Sequence, residues 1–518
     1  MPKLNLDALI LREDFEVEES QKQDSSKKTE TVSIRDLEQN SFFFPLLRKP
    51  DFQRETSEWE PQKVCEFIKS FLDGDLIPAL ILWQGSKSRF IFVIDGSHRI
   101  SALASWVYDD YGDNRKSQDF YESEISADQK KIAERARKLI NKEIGKYSDY
   151  KLALTNPEKL NSKLVDRAKN LSTLAIQLQW VGGDAKNAEA SFLKINKQAA
   201  PINPTELKLI ESRKKPNCIA ARAINRSGKG HKYWSGFSSE KQTTIQNLSK
   251  EINELLFSPE LETPVKTLDI PIGGKKYSAQ SLPLTLEFIN ILNNLKPDFS
   301  KLTNDDSGDT TLEMLQKCKD IAYRINSIHP TSLGLHPIVY LYTKEGRHKT
   351  TSFFGTLLFI MRLSNEQLIA KFLSVREKFE ELLLSYDYLI QQMGKKFKYS
   401  VKSVEHVCGF YFSIIDLLKE GKLKDEVISQ LLSQEKYNYL KIQTEQKENS
   451  SNEFSREDKS AVYIKEALPG VPKCKICKGY IHKNSITIDH KIRKSDGGTA
   501  EIDNGQLAHP YCNTTFKN

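Results

Sequence analysis

Four metal-binding side chains near the end of the chain constrain it most: Cys474 and Cys477, then His509 and Cys512. Each pair encloses two residues, and about thirty residues separate the pairs. A C-x-x-C pair followed by an H-x-x-C pair offers three thiolates and one imidazole, the donor set of a closed tetrahedral zinc site. A segment this short has too little apolar surface for a core of its own, so the zinc would supply its folding free energy. The alternative, a surface histidine beside incidental thiols, requires three of seven cysteines to fall at ligand spacing by accident.

Between the pairs, Ser485 to Ile488 alternates polar and apolar residues like a short strand, and Gly497-Gly498 permits a tight turn before Ala500 to Leu507. Asp489-His490 therefore falls at a strand end. With Asn504 and the terminal Cys512-Asn513, these residues resemble the HNH endonuclease family over about the last 55 residues. The resemblance implies a ββα-metal fold in which His490 is the general base, Asp489 and Asn513 are protein ligands of a catalytic divalent cation, and Asn504 holds the His490 loop. Hydrolysis of a phosphodiester near neutral pH needs such a base together with a cation facing the scissile phosphate, and few oxygen ligands suit Mg²⁺ or Mn²⁺. His509 stands where many family members have Cys, and its spacing to Cys512 favours structural zinc over catalysis. Lys491, Arg493, Lys494 and Lys517 form either a solvated basic face or contacts to phosphates.

A second constellation lies near the start. Leu80 to Trp83 and Phe90 to Ile94 are apolar runs separated by the polar Gln84 to Arg89, which predicts a hairpin. Pro61 to Leu72 predicts a helix with Val64, Phe67, Ile68 and Phe71 on one face. After the second strand, Asp95-Gly96-Ser97-His98-Arg99 leads into a helical pattern carried by Ile100, Leu103, Ala104 and Val107. Strand, glycine turn and helix start make either an anion site or a capped turn closed by an Asp95–Arg99 salt bridge. Together with Pro50 to Arg54, Trp59, Ile77 to Leu80, Phe192 to Asn196 and Pro201 to Leu207, this set resembles the ParB-related domain of GmrS-type restriction proteins and of phosphorothioate-sensing SspE proteins, over residues 32–215.

That resemblance implies a nucleotide pocket formed by Gln53, Arg54, Asp95, Gly96, His98 and Arg99, with Lys194 and Asn196 as additions. Asp95 would be the metal or hydrolysis residue, and Arg54 and Arg99 the phosphate clamps. Ser97 stands where the family usually has Gln, so the resemblance carries nucleoside triphosphate binding further than hydrolysis. Asn196 is equally well read as a turn residue near Pro201.

The remaining organisation follows from length and pattern. A chain of 518 residues, 38% hydrophobic and 28% charged, is long enough for several globular domains. We expect a loose arm over 1–31, the ParB-related α/β domain over 32–215, a helical scaffold over 216–440, a polar tether over 441–459 and the nuclease over 460–518, a multidomain α+β protein. Helices are predicted over Ile245–Phe257, Leu282–Leu295, Thr311–Ile328, Phe353–Leu363, Glu366–Tyr388 and Val404–Leu418, with His329, His336, His348 and His406 structural or on the surface. No apolar run reaches the roughly 18 residues of a membrane span, and the start lacks a signal-peptide pattern. Singly scattered Cys65, Cys218, Cys318 and Cys408 suggest reduced thiols and a cytoplasmic setting. The net charge of +8 is compatible with phosphate-backbone binding without deciding it.

Two functions from different classes compete. One is an antiphage or restriction endonuclease acting on DNA under control of the N-terminal domain, working as a homo-oligomer or with a defence partner protein. The other is a non-catalytic ParB-like DNA-binding adaptor with a structural zinc module. The intact Asp489, His490, Asn504 and Asn513 set favours the first, and RNA stays open as its substrate.

Overall fold

The computed structural model describes residues 3–15, 28–53, 56–85, 88–199, 204–276, 281–295, 299, 302–363, 366–443 and 453–516. The chain divides into two compact units, Met1–Arg213 with Lys229–Tyr233, and Lys214–Gly228 with Trp234–Asn518.

The first unit is built on a mixed sheet of β1 (Arg12–Glu13), β2 (Thr31–Ser33), β3 (Leu47–Pro50), β4 (Leu80–Gln84), β5 (Ile91–Asp95) and β6 (Ala175–Trp180), in the order β1-β3-β5-β4-β6-β2. The expected hairpin is present: β4 and β5 are antiparallel with Trp83 opposite Phe92. β5 is an inner strand buried on both faces, so it reads as a continuous apolar run instead of an alternating one. Helix α1 (Pro61–Asp73) begins on proline and stops at Gly74, whose φ of 78° suits a left-handed cap. It buries Val64, Ile68 and Phe71 together with Val93 of β5, and α2 (Ser97–Val107) adds Ile100, Leu103 and Ala104 to the same core. On the opposite face, α3 (Ala185–Ala199) lays Ala185, Ala188 and Phe192 against Phe52, Phe92 and Ile94. The period of two along β5 thus divides its side chains between two helix layers.

Residues 3–15 depart from the loose arm expected over 1–31. Leu4, Leu6, Leu9 and Ile10 are buried, and the Leu4 and Leu6 amides donate to Trp59 O and Thr56 O at 2.9 and 2.8 Å. Asp7 is buried between two cations: Arg12 Nη2 reaches its Oδ1 at 2.9 Å, and the Lys49 ammonium pairs with the same carboxylate. Apolar burial and this pairing outweigh the polarity that dominates the composition of the first 31 residues. The most polar part of the arm, 16–27, lies outside the described residues.

The second unit contains α4 (Ser239–Phe257), α5 (Ser281–Leu292), α6 (Asp309–Ile325), α7 (Thr350–Arg362), α8 (Glu366–Ser385), α9 (Val401–Lys419) and α10 (Arg456–Ala467). The helix read through Tyr388 instead ends at Ser385, and a new one runs over Asp387–Lys396. The apolar stretch of α7 is core: Phe359 packs on Phe372, Phe412 and Tyr411 at ring separations of 5.4, 5.1 and 5.6 Å. Among the described residues no helix is long and apolar enough to cross a membrane. Of the segment read as a tether, 444–452 lies outside the described residues. Just beyond it, Ser455 and Asp458 form a capping box that starts α10, and Ser460 accepts the Val265 amide at 2.9 Å. A two-stranded sheet of β7 (Thr487–His490) and β8 (Gly505–Ala508) completes the unit.

Candidate functional site

The Cys474, Cys477, His509 and Cys512 ligand atoms lie within 4.8 Å of one another, and all four residues are buried. The first pair sits on a tight turn in which Cys474 N donates to Gly479 O and Lys478 N to Cys474 O, each at 2.9 Å. The second pair follows β8, where a π-helical turn begins at Cys512. His509 Nε2 lies 3.1 Å from Tyr480 O. A carbonyl can only accept, so that nitrogen carries the proton, and Nδ1, 3.3 Å from Cys477 Sγ, presents its lone pair to the cluster. Crowding sets the thiols against one another: Cys474 is held well below the ordinary thiol value by hydrogen bonds from Cys477 and Cys512, and Cys512 well above it by its own hydrogen bonds to Cys474 and Cys477. A cation relieves that conflict by taking all three as thiolates, so the donor set fits tetrahedral zinc.

The hairpin projects from this cluster. Asp489 stands opposite Gln506 and His490 opposite Gly505. Asp489 is 6% exposed and accepts Gln506 Nε2 at 2.7 Å. Asn513, one residue past the last cysteine, donates Nδ2 to Ile488 O at 3.3 Å, next to Asp489 in the chain. Asn504 Oδ1 accepts Ile492 N at 2.8 Å, and its Nδ2 donates to Thr499 O and Ile492 O at 2.8 and 3.2 Å, which closes the loop after His490. Lys491, Arg493 and Lys494 are exposed on that loop, and Lys517 lies outside the described residues. Gln506 escaped the sequence reading because its link to Asp489 depends on strand register.

In the first unit, the end of β5 brings Asp95, Gly96 and Arg99 together, with Gln53 at the Ile94 carbonyl and His98 one residue before Arg99. Arg99 Nη2 pairs with Asp95 Oδ2 at 2.6 Å and reaches Ala79 O at 3.2 Å, the closed salt bridge of the capped-turn alternative. Gly96 has φ 98°, a left-handed backbone that calls for glycine, and a Cβ there would also press on Leu80 Cδ2 at 2.3 Å. Gln53 Nε2 lies 3.4 Å from Ile94 O, while its buried Oε1 accepts no hydrogen bond from the described residues. His98 stacks on Trp59 at 5.7 Å. Lys194 is exposed, about 200° around α3 from Phe192, the residue that faces Phe52. Arg54 and the side chain of Asn196 lie outside the described residues.

Two families match. Residues 33–211 match the family described as GmrSD restriction endonuclease, N-terminal domain, and residues 474–518 match HNH endonuclease. No curated protein and no solved structure gave a match. Four of the six strands of the sheet that carries Asp95, β3 to β6, lie inside the first stretch, and the zinc-type cluster and the β7–β8 hairpin lie inside the second. The chain therefore joins a GmrSD restriction endonuclease N-terminal domain to a C-terminal HNH endonuclease domain.

Proposed function

We propose that this chain is a metal-dependent DNA endonuclease of restriction type whose N-terminal domain gates cutting through a nucleotide or a DNA modification. The observation that carries the reading is the adjacency of Asp489 and His490 at the end of β7, with Gln506 on the Asp489 carboxylate and Asn513 on the neighbouring Ile488 carbonyl. His490 takes the proton of the attacking water. Asp489 and Asn513 are the residues that hold Mg²⁺ or Mn²⁺, which when bound stabilises charge on the phosphate and the leaving oxygen. Asn504 keeps the loop carrying Lys491, Arg493 and Lys494 in one shape, and those cations meet the backbone phosphates.

Gating rests on the Asp95–Arg99 pair. An anionic ligand competes with Asp95 for the guanidinium.

Plasmid and phage DNA, with and without modification, are incubated with Mg²⁺ or Mn²⁺ and each nucleoside triphosphate. His490→Ala lowers cutting by roughly 10²- to 10⁴-fold while DNA binding persists. Asp95→Ala with Arg99→Ala leaves the hairpin intact and abolishes the response to nucleotide or modification. An unchanged response in that double variant removes the gating reading. Equal DNA binding with no cutting by wild type or His490→Ala favours the adaptor, and cutting of RNA alone reassigns the substrate.

A further inference from the structure

The zinc-type cluster is not enclosed by its own module alone. Arg376 and Glu380, one helical turn apart on α8, both have fully buried side chains. Arg376 Nε donates to Glu380 Oε1 at 2.7 Å, Nη1 to Leu333 O at 2.6 Å and Nη2 to Gly334 O at 2.9 Å. Nη1 also stands 3.8 Å from Cys477 Sγ and 3.2 Å from His509 Nδ1. Glu380 Oε2 in turn accepts the Tyr480 amide at 2.7 Å, and its Oε1 accepts Tyr340 OH at 2.9 Å.

Glycines clear the approach on both sides. A Cβ at Gly479 would lie 2.2 Å from Arg376 Nε, and one at Gly334, whose φ is 60°, would lie 2.3 Å from the His509 ring. The helical scaffold and the zinc knuckle are therefore fitted to each other at backbone distance.

Zinc with three thiolates and a neutral imidazole carries one net negative charge, here away from water. A buried anion without a counter-charge is costly, and Glu380 is a second anion in the same place. The guanidinium lies between the two.

We propose that Arg376 is the counter-charge and outer hydrogen-bond donor of the zinc site, so that α8, outside the matched HNH segment, sets how tightly the zinc is held. With Nδ1 of His509 engaged by the metal, the free Nη1 hydrogen turns to the Cys477 thiolate, the kind of contact by which outer residues tune metal affinity about 10- to 100-fold. This rests on the cluster holding zinc.

The test measures zinc per chain and the half-time of its release to a chromogenic chelator in the full-length protein. The variants are Glu380→Gln, Arg376→Gln with Glu380→Gln, and Arg376→Lys. Glu380→Gln keeps the cation and is expected within about threefold of wild type, whereas the double variant releases zinc at least about 10-fold faster. Arg376→Lys retains charge without the planar fork and falls between them, which also decides the matter if the double variant does not fold. Wild-type release from the double variant overturns the proposal, as does release from Glu380→Gln as fast as from the double variant, since docking of α8 would then be all that matters. A wild-type chain that binds no zinc overturns the cluster reading, and this proposal with it.

Discussion

Two turns in this protein place an aspartate near the end of a β-strand with a histidine close behind, Asp95 with His98 and Asp489 with His490, and they are built by opposite means. The first rests on an inner strand of a six-stranded sheet, between two apolar helix layers. Its carboxylate is engaged by a cation, Arg99, at 2.6 Å. The second rests on a two-stranded sheet, too small to be stable alone. Its carboxylate is engaged by a neutral amide, Gln506, at 2.7 Å. An arginine offers a carboxylate both charge and hydrogen bonds, whereas an amide offers hydrogen bonds alone. A carboxylate close ahead of a histidine thus has a different partner in each unit, a guanidinium beside Asp95 and an amide beside Asp489.

The largest expected effect separates the two turns by what supports them. Replacing Cys474 with alanine, or stripping metal with a chelator, removes zinc-linked folding energy of roughly 10–16 kcal/mol at neutral pH, the usual range for small structural sites. Hydrogen exchange is expected to lose protection in β7 and β8 and in the 474–480 turn, while β4 and β5 retain theirs. Simultaneous loss in both sheets would show that the comparison draws its line in the wrong place.

The local chemistry of both turns was legible in the sequence because each rests on residues close together in the chain: ligand pairs with fixed spacing, a strand, a glycine, a helix start. Even there the Asp95 to Arg99 run allowed two readings, an anion site and a capped turn, and the Asp95–Arg99 salt bridge is common ground to both. What stayed hidden depends on distant partners. Gln506 meets Asp489 only through hairpin register, and Arg376 meets Cys477 across 101 positions. A trace of the latter was available: Ile369, Phe372, Leu373, Phe379 and Leu383 form the buried stripe of α8, and Arg376 and Glu380 occupy its register as charges. The packed segment 3–15 was obscured by the polar residues that follow it.

Acid gives a second, smaller separation. Burial pushes His482 down to about 4, with Asp269 opposing the shift in part, and burial likewise pushes His348 down to about 4. Both rings are neutral in the folded second unit, and the unfolded chain takes up protons first as pH falls. Their contribution is therefore fully present above about pH 6.5 and is lost between there and pH 4, at most about 2 kcal/mol per ring by pH 5. His482 is the more informative, because its Nδ1 is 2.9 Å from Asn326 Nδ2 and its Nε2 is 3.3 Å from Asp269. Thermal unfolding of the second unit should fall from pH 7 to pH 5, and His482→Gln should flatten that slope at the cost of lower stability at pH 7. A slope unchanged by this variant would assign the acid sensitivity to other groups, His348 and the cysteine cluster among them.

The finest test bears on the amide that distinguishes the second turn. Gln506→Ala removes the donor to Asp489 while leaving the backbone pairing of β7 and β8 in place. If Asp489 holds the catalytic cation, the Mg²⁺ concentration for half-maximal cutting should rise about tenfold, roughly 1.4 kcal/mol, with little change in kcat at saturating metal. Gln506→Glu should raise it further, because a second carboxylate would face the first and favour its protonated form. A fall in kcat with an unchanged metal requirement would place Asp489 in the positioning of His490 instead, and both turns would then use their aspartate to fix a neighbour.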